Sequence, residues 1–235
     1  MFTKSEQFYD AVYSWKKYDR EAAKVRDLIG RHKRSDGNAL LDVACGTGRH
    51  IEYLREGFAV EGLDLDPKML DVARARHPGI TFHHGDMIDF DLGRQFDVVV
   101  CLFSSIGYTK TVERLTKAIA NMARHLRPGG VLIVEPYFSP AAWKDSRLPA
   151  VNTAEQPDFK LLRMMVGSTE GTTAAFDLHY LVGTAGAVEY FVERHEFGLF
   201  TEDENRAAFA AAGLDVIHDP EGLIGRGLYI GTRPL

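Results

Sequence analysis

Apolar residues change their period several times along this chain, and the changes mark its elements. Near the N-terminus Phe8, Val12 and Trp15 recur at helical spacing. Tyr18 opens a second run that carries through Leu28 and Ile29, so residues 5–32 read as two helical pieces. From 39 to 136 two patterns alternate. Short apolar runs at 39–43, 58–63, 80–83, 96–101 and 130–135 read as strands, with helices at about 47–56, 67–77 and 111–125. Runs such as Phe96-Asp-Val-Val-Val-Cys101 and Val131-Leu-Ile-Val134 show no polar face, as expected of parallel strands covered on both sides. Such alternation predicts an α/β fold with a doubly wound sheet. Pro67 at a helix start and Gly129-Gly130 after a helix end fit that punctuation.

Beyond 136 the pattern changes again. Residues 137–158 carry Pro140, Pro149 and Pro157 and read as a loop. Three strand-type runs follow, Lys160–Ser168, Thr172–Val182 and Val188–Phe200, separated by glycine-bearing turns. They predict antiparallel hairpins inserted near the carboxyl edge of the main sheet. Thr201 with Glu204 three residues on is a capping box for a helix that Gly213 ends. Runs at 214–218 and 227–232 supply the last two strands of seven. The expected organisation is a core of 1–136 and 201–235 with an N-terminal helical cover. The insert, 137–200, is expected to form an acceptor-site wall, a dimer contact or both.

Composition narrows the partners. Of 235 residues 45% are hydrophobic and 26% charged, and the net charge is −5. With no basic stripe, a nucleic-acid partner has no support. No apolar run reaches membrane-helix length, and MFTKSEQFYD lacks a signal-peptide core, so a cytoplasmic setting without membrane contact is expected. Cys45 and Cys101 do not form a disulfide or zinc framework, and the histidines lack paired ligand spacing, so no metal is predicted.

Candidate chemistry gathers at 39–49, where a buried strand runs into a glycine turn. Gly46 and Gly48 let a ligand lie against the backbone, and the following helix start offers free N–H groups. The third glycine of the dinucleotide fingerprint is replaced by Ile51, which argues against a pyrophosphate ligand and an NAD-dependent oxidoreductase. Asp64, eighteen residues after Gly46, stands at the tip of the second strand, where a carboxylate accepts both ribose hydroxyls. Asp66 reads as the cap of the next helix. Gly85-Asp86-Met87 follows the third strand; an Asx turn with a buried methionine is its plain alternative. After the fourth strand, Leu102 to Tyr108 leave the carboxyl edge, with Phe103 and Tyr108 as walls.

The stretch Leu41-Asp-Val-Ala-Cys-Gly-Thr-Gly48 closely resembles motif I of the class I S-adenosylmethionine (SAM) dependent methyltransferases. Over the whole chain the sequence resembles the N,N-dimethyltransferases of nucleotide-linked amino sugars, of the dTDP-desosamine and mycaminose type. Phe103-Ser-Ser-Ile-Gly-Tyr108, Pro128-Gly-Gly-Val131, Val134-Glu-Pro-Tyr137, Ala208-Phe-x-Ala-Ala-Gly-Leu214 and Gly225-Arg-Gly-Leu228 carry that likeness. The resemblance implies a Rossmann-like sheet and SAM as cofactor. It implies that Asp42, Ala44, Gly46 and Gly48 pack under the methionine part of SAM, and that Asp64 and Leu65 meet the ribose. Asp86 and Met87 then reach the adenine, Leu102 backs the ligand, and the Tyr9–Tyr13 stretch covers the pocket. Tyr18 takes the position that contacts the SAM carboxylate.

An amine acceptor must arrive or become unprotonated before it accepts a methyl group, so a nearby Tyr or His is a candidate to take a proton or orient the lone pair. Tyr13, Tyr108 and His179 are the catalytic candidates, each with a packing role as the alternative. His179 shares a strand face with Asp177, and His195 shares one with Phe191, Phe197 and Leu199. Tyr137, His195 and Arg226 are the substrate-binding candidates. Arg147 and Arg163 are further positions able to pair with a diphosphate. A small-molecule O-methyltransferase, an amino-acid N-methyltransferase and a SAM-binding protein without turnover remain as alternatives.

Overall fold

Every residue of the strand Phe96–Cys101 is buried, which fixes where the main sheet lies. The computed structural model describes residues 4–144 and 149–235. Its helices α1 (Tyr9–Val12) and α2 (Tyr18–His32) precede β1 (Ala39–Val43), after which come α3 (Ile51–Leu54), β2 (Ala59–Asp64) and α4 (Pro67–Arg76). Then follow β3 (Thr81–His84), β4 (Phe96–Cys101), α5 (Val112–Arg124) and β5 (Leu126–Val134). β1 pairs in parallel with β2 on one side and β4 on the other, β3 lies beyond β2, and β5 lies beyond β4. The final strands, β10 (Asp215–Asp219) and β11 (Leu228–Thr232), close the β5 side antiparallel. The seven-stranded order is therefore β10-β11-β5-β4-β1-β2-β3.

The strands carry apolar residues on both faces because both faces are covered. Leu40, Val98 and Val100 pack with Ala22, Val25 and Ile29 of α2, Ile51 of α3 and Leu70 of α4. Leu41, Val43 and Val99 pack with Leu115, Ile119 and Met122 of α5 and Phe209 of α6 (Glu202–Ala211). A reversal of winding at β1 leaves a crevice at the carboxyl ends of β1 and β4, where ligands bind in open α/β sheets.

A second sheet is antiparallel in the order β6-β7-β8-β9, formed by β6 (Ala150–Glu155), β7 (Lys160–Glu170), β8 (Thr173–Gly183) and β9 (Val188–Gly198). Its inner face, with Phe176, Leu178 and Tyr180, packs on Phe8 and Val12 of the N-terminal segment. Val151, Met164, Val166, Leu181 and Val192 stay exposed on the other face.

Among the boundaries that differ from the sequence expectation, three have a clear local cause. The loop expected at 137–158 contains β6, an edge strand with one buried residue in six; pairing with β7, rather than its own periodicity, makes it a strand. The helix expected at 47–56 shrinks to Ile51–Leu54, because Gly46 and Gly48 sit at φ +55° and +76° and keep the chain in turns. The first helical piece stops at Val12, so Trp15 lies in solvent instead of continuing the stripe.

Candidate active site

The glycine turn after β1 is held by the carboxylate of Asp64. Its Oδ2 accepts from the Gly46 N–H at 2.7 Å, and its Oδ1 accepts from the Asp66 N–H at 2.8 Å. Asp66 in turn caps α4 by accepting from the Lys68 N–H at 2.9 Å. A Cβ on Gly46 would meet no atom within 4 Å, so the turn faces open space. That space is a cavity of about 340 Å³, whose lining includes Gly46, Asp64, Leu65, Asp86, Met87 and Tyr108. Asp86 accepts from the Ile88 N–H at 3.1 Å, the Asx turn of the sequence reading, and still lines the cavity.

A smaller cavity continues past Tyr9, Ala44, Gly46 and Ser105, which line both, toward Tyr18, Asp42, Arg49 and Leu102. Gly48 shapes the turn but lines neither cavity. Asp42 is buried, and among the described residues its Oδ2 has no hydrogen-bond partner. Burial, and then the charge of Asp64, push its carboxyl up to about 8. The Arg49 guanidinium lies 5.2 Å from the Tyr18 ring centre.

Over this end lies the N-terminal cover. Asp10 accepts from the Thr47 hydroxyl at 2.8 Å and pairs with Arg76. The Tyr13 hydroxyl accepts from Arg163 Nη1 at 3.0 Å, and its ring meets Phe103 edge-on at 5.1 Å. Arg163 is thus a buried structural cation rather than a solvent-facing one. Arg147 lies outside the described residues.

Sequence reasoning passed over a buried charged group beneath the cover. Lys16 pairs with Glu21, whose Oε2 also lies 2.8 Å from His50 Nε2. Burial alone would raise the Glu21 carboxyl, but His50 and Lys16 hold it below the usual value. The available signal was a glutamate inside the apolar stripe of α2, beside Ala22 and Val25.

Glu135, at the end of β5, is fully buried and accepts from the Phe103 N–H at 2.6 Å. This bond pins Phe103 and Ser104 at φ +52° and +60°, a conformation that costs non-glycine residues on the order of 1 kcal/mol each. Burial pushes the Glu135 carboxyl up to about 7, against the pull of Lys16 and Arg226. Arg226 donates to the Ser104 hydroxyl at 2.9 Å and lies 5.3 Å and 5.0 Å over the rings of Tyr137 and Phe138. Arg226, Tyr137 and Phe138 line a groove of about 410 Å³ that also reaches Asn205 and His218.

The structure joins Tyr108 and His195, 87 positions apart: the Tyr108 hydroxyl lies 2.7 Å from His195 Nδ1. Gly107 permits this approach, since a Cβ there would come 2.4 Å from Phe197 Cδ1. His179 is corrected. It faces the outer side of the second sheet, bonds the Tyr190 hydroxyl at 2.7 Å, and lines none of these cavities. Period two places His179 and His195 on opposite faces, but only the packing of Phe8 and Val12 decides which face is inside. Among the described residues no cluster is arranged to hold a metal ion, and no helix is long and apolar enough to cross a membrane.

This site offers an open backbone turn, carboxylates along one wall, apolar cover, and the buried Asp42 carboxyl in the lining of the smaller cavity. Residues 40–130 match the family described as a methyltransferase domain. The chain is 42% identical, over 96% of its length and 89% of the relative's, to dTDP-3-amino-3,6-dideoxy-alpha-D-glucopyranose N,N-dimethyltransferase of Streptomyces fradiae. The DesVI structure from Streptomyces venezuelae superposes with a TM-score of 0.91 at 38% identity, covering all of both chains. SAM-bound CalS10, an amino pentose methyltransferase from Micromonospora echinaspora, superposes with 0.86 at 38% identity, covering 99% of this chain and 98% of that one. With that likeness running the length of the chain, the protein belongs to the family of SAM-dependent sugar N,N-dimethyltransferases.

Proposed function

We propose that this methyltransferase N,N-dimethylates the amino group of a nucleotide-linked sugar. When bound, SAM supplies an electrophilic methyl group on a sulfonium. The protein's task is to align an unprotonated amine with it and exclude water. The residues present fit that cofactor: the turn at Gly46 is open, and Asp42 holds an unpartnered carboxyl oxygen where a cationic ligand end favours ionisation. In this reading Asp64 and Leu65 take the ribose, Asp86 and Met87 the adenine, and Tyr18 the carboxylate.

The observation that carries the acceptor reading is Arg226. A guanidinium anchored by Ser104 above Tyr137 and Phe138 suits the diphosphate of a nucleotide sugar, with the aromatic rings beneath it. Ser104 belongs to the same loop as Phe103 and Ser105, which line the smaller cavity, and this supports an acceptor held by Arg226 on the methyl-donor side. Relatives named for dTDP-amino-sugar dimethylation support the same acceptor. The exposed apolar outer face of the second sheet supports a homodimer contact, with Val151, Met164 and Val192 aligned in register across it.

The test is mass spectrometry of SAM-dependent products from a panel of dTDP-amino sugars, amino acids and hydroxylated small molecules. A gain of two methyl groups on an amino sugar is expected. Turnover confined to hydroxyl acceptors overturns this acceptor and leaves the methyltransferase assignment standing.

A further inference from the structure

A row of polar side chains leads from the cofactor cavity into the interior of the second sheet. Tyr108 lines the cavity, and its hydroxyl meets His195 Nδ1 at 2.7 Å. Two residues back on the same face of β9, Glu193 places Oε2 3.8 Å from His195 Nε2. Both His195 and Glu193 are buried. Glu193 is also fixed by the cover, accepting from the Lys4 N–H at 2.7 Å and the Ser5 N–H at 3.2 Å.

We infer that Tyr108, His195 and Glu193 are a proton relay for the acceptor amine, with Glu193 as the positioning residue. The inference rests on the amine-acceptor reading above. The Glu193 carboxylate favours the tautomer with hydrogen on Nε2, which leaves Nδ1 to accept from the Tyr108 hydroxyl. The tyrosine oxygen then has lone pairs to offer the acceptor ammonium. The proton leaves the ammonium nitrogen for the Tyr108 oxygen as the hydroxyl's own proton passes to His195 Nδ1. The nitrogen keeps its lone pair, and the imidazolium faces Glu193. After product leaves, the imidazolium loses the proton to solvent and the relay is reset for a second methylation.

Electrostatics set the starting states, while burial itself works against the imidazolium that the transfer forms. Burial holds the His195 imidazole below its ordinary value, so it starts neutral and able to accept. Burial, then Tyr13, raise the Tyr108 phenol, so it starts protonated and needs a partner that takes its proton. Arg163 on β7 opposes the imidazolium, while Glu193 favours it. Tyr180 on β8 and Tyr13 of the cover bring hydroxyls to the same interior.

The test pairs a spectroscopic reading with a pH profile. Imidazole nitrogen NMR of the unliganded wild type should show His195 neutral with hydrogen on Nε2, and Glu193→Gln should shift that tautomer. With an amino-sugar acceptor, Tyr108→Phe and His195→Gln should lose about 100-fold or more in kcat near pH 7. They should recover at alkaline pH, where free amine is supplied by solvent, and S-adenosylhomocysteine affinity of His195→Gln should hold. Hydrogen on Nδ1 in the wild type, or variants with the wild-type kcat and pH profile, overturns the relay alone. A wild type that methylates no amine removes the acceptor reading and this inference with it.

Discussion

Asp64 carries two jobs at once. It holds the Gly46 and Asp66 N–H groups, and it lines the cavity where a ribose is expected. Asp64→Ala should therefore weaken S-adenosylhomocysteine binding by about 1.5–3 kcal/mol, one to two decades, and also lower the melting temperature. Unchanged affinity with reduced stability, read by calorimetry and thermal melts, would leave it a structural tie only. Asp42 makes a separate pH prediction. Its folded pKa, about 8, lies above the unfolded carboxylate range, so the empty folded state binds the proton more tightly. Unliganded stability should accordingly fall as pH rises from about 4 to about 8. A ligand that brings its ammonium to this carboxyl favours the ionised form. Its affinity should then rise toward pH 8 and level off, with proton release seen as buffer-dependent binding heat. At this scale the sequence revealed residues whose roles are local, such as the Asp66 cap. It concealed Glu135 and Lys16, whose roles depend on Phe103, Arg226 and Glu21 arriving from elsewhere in the chain.

Elements were legible where period and punctuation agreed. The capping box of α6 is present as expected: Thr201 Oγ1 accepts from the Glu204 N–H at 3.2 Å, and Glu204 Oε2 accepts from the Thr201 N–H at 2.8 Å. Thr201→Ala should cost about 1 kcal/mol and lower the melting temperature by roughly 2–4 °C. Because α6 packs on α5, away from the cofactor turn, affinity for S-adenosylhomocysteine should stay the same. Where tertiary contacts override local preference, the elements were not legible. β6 exists through β7, and the turn at 47–50 persists because Asp64 holds Gly46 against the helical preference of the residues that follow.

At the scale of the whole molecule, the doubly wound sheet could be read from alternation because each strand and its crossover are neighbours in sequence. The seating of the second sheet could not. It is fixed by contacts such as Ser5 with Glu193 and Tyr108 with His195, which join segments far apart along the chain. The outer face of that sheet makes its own prediction. Placing charges in the apolar row, as Met164→Asp with Val192→Asp, should convert a dimer into a monomer by sedimentation while cofactor affinity holds. A wild type that sediments as a monomer removes the dimer contact.

The cover has a consequence for how many times a sugar visits the enzyme. Tyr9 of the cover lines both parts of the cofactor space, and the same segment ends in the bonds from Lys4 and Ser5 to Glu193. A cover that lifts to release spent cofactor takes three donors from Glu193, the Lys4 and Ser5 N–H groups and the Ser5 hydroxyl, and loosens the acceptor side. For a sugar that receives two methyl groups, one such opening falls between them. Dimethylation is then distributive: the singly methylated sugar should build up in free solution early in the time course. In a pulse-chase with isotopically labelled starting sugar, it should be diluted by added unlabelled intermediate. A dimethyl product that forms without such dilution would mean that the half-finished sugar stays bound while the cofactor is exchanged.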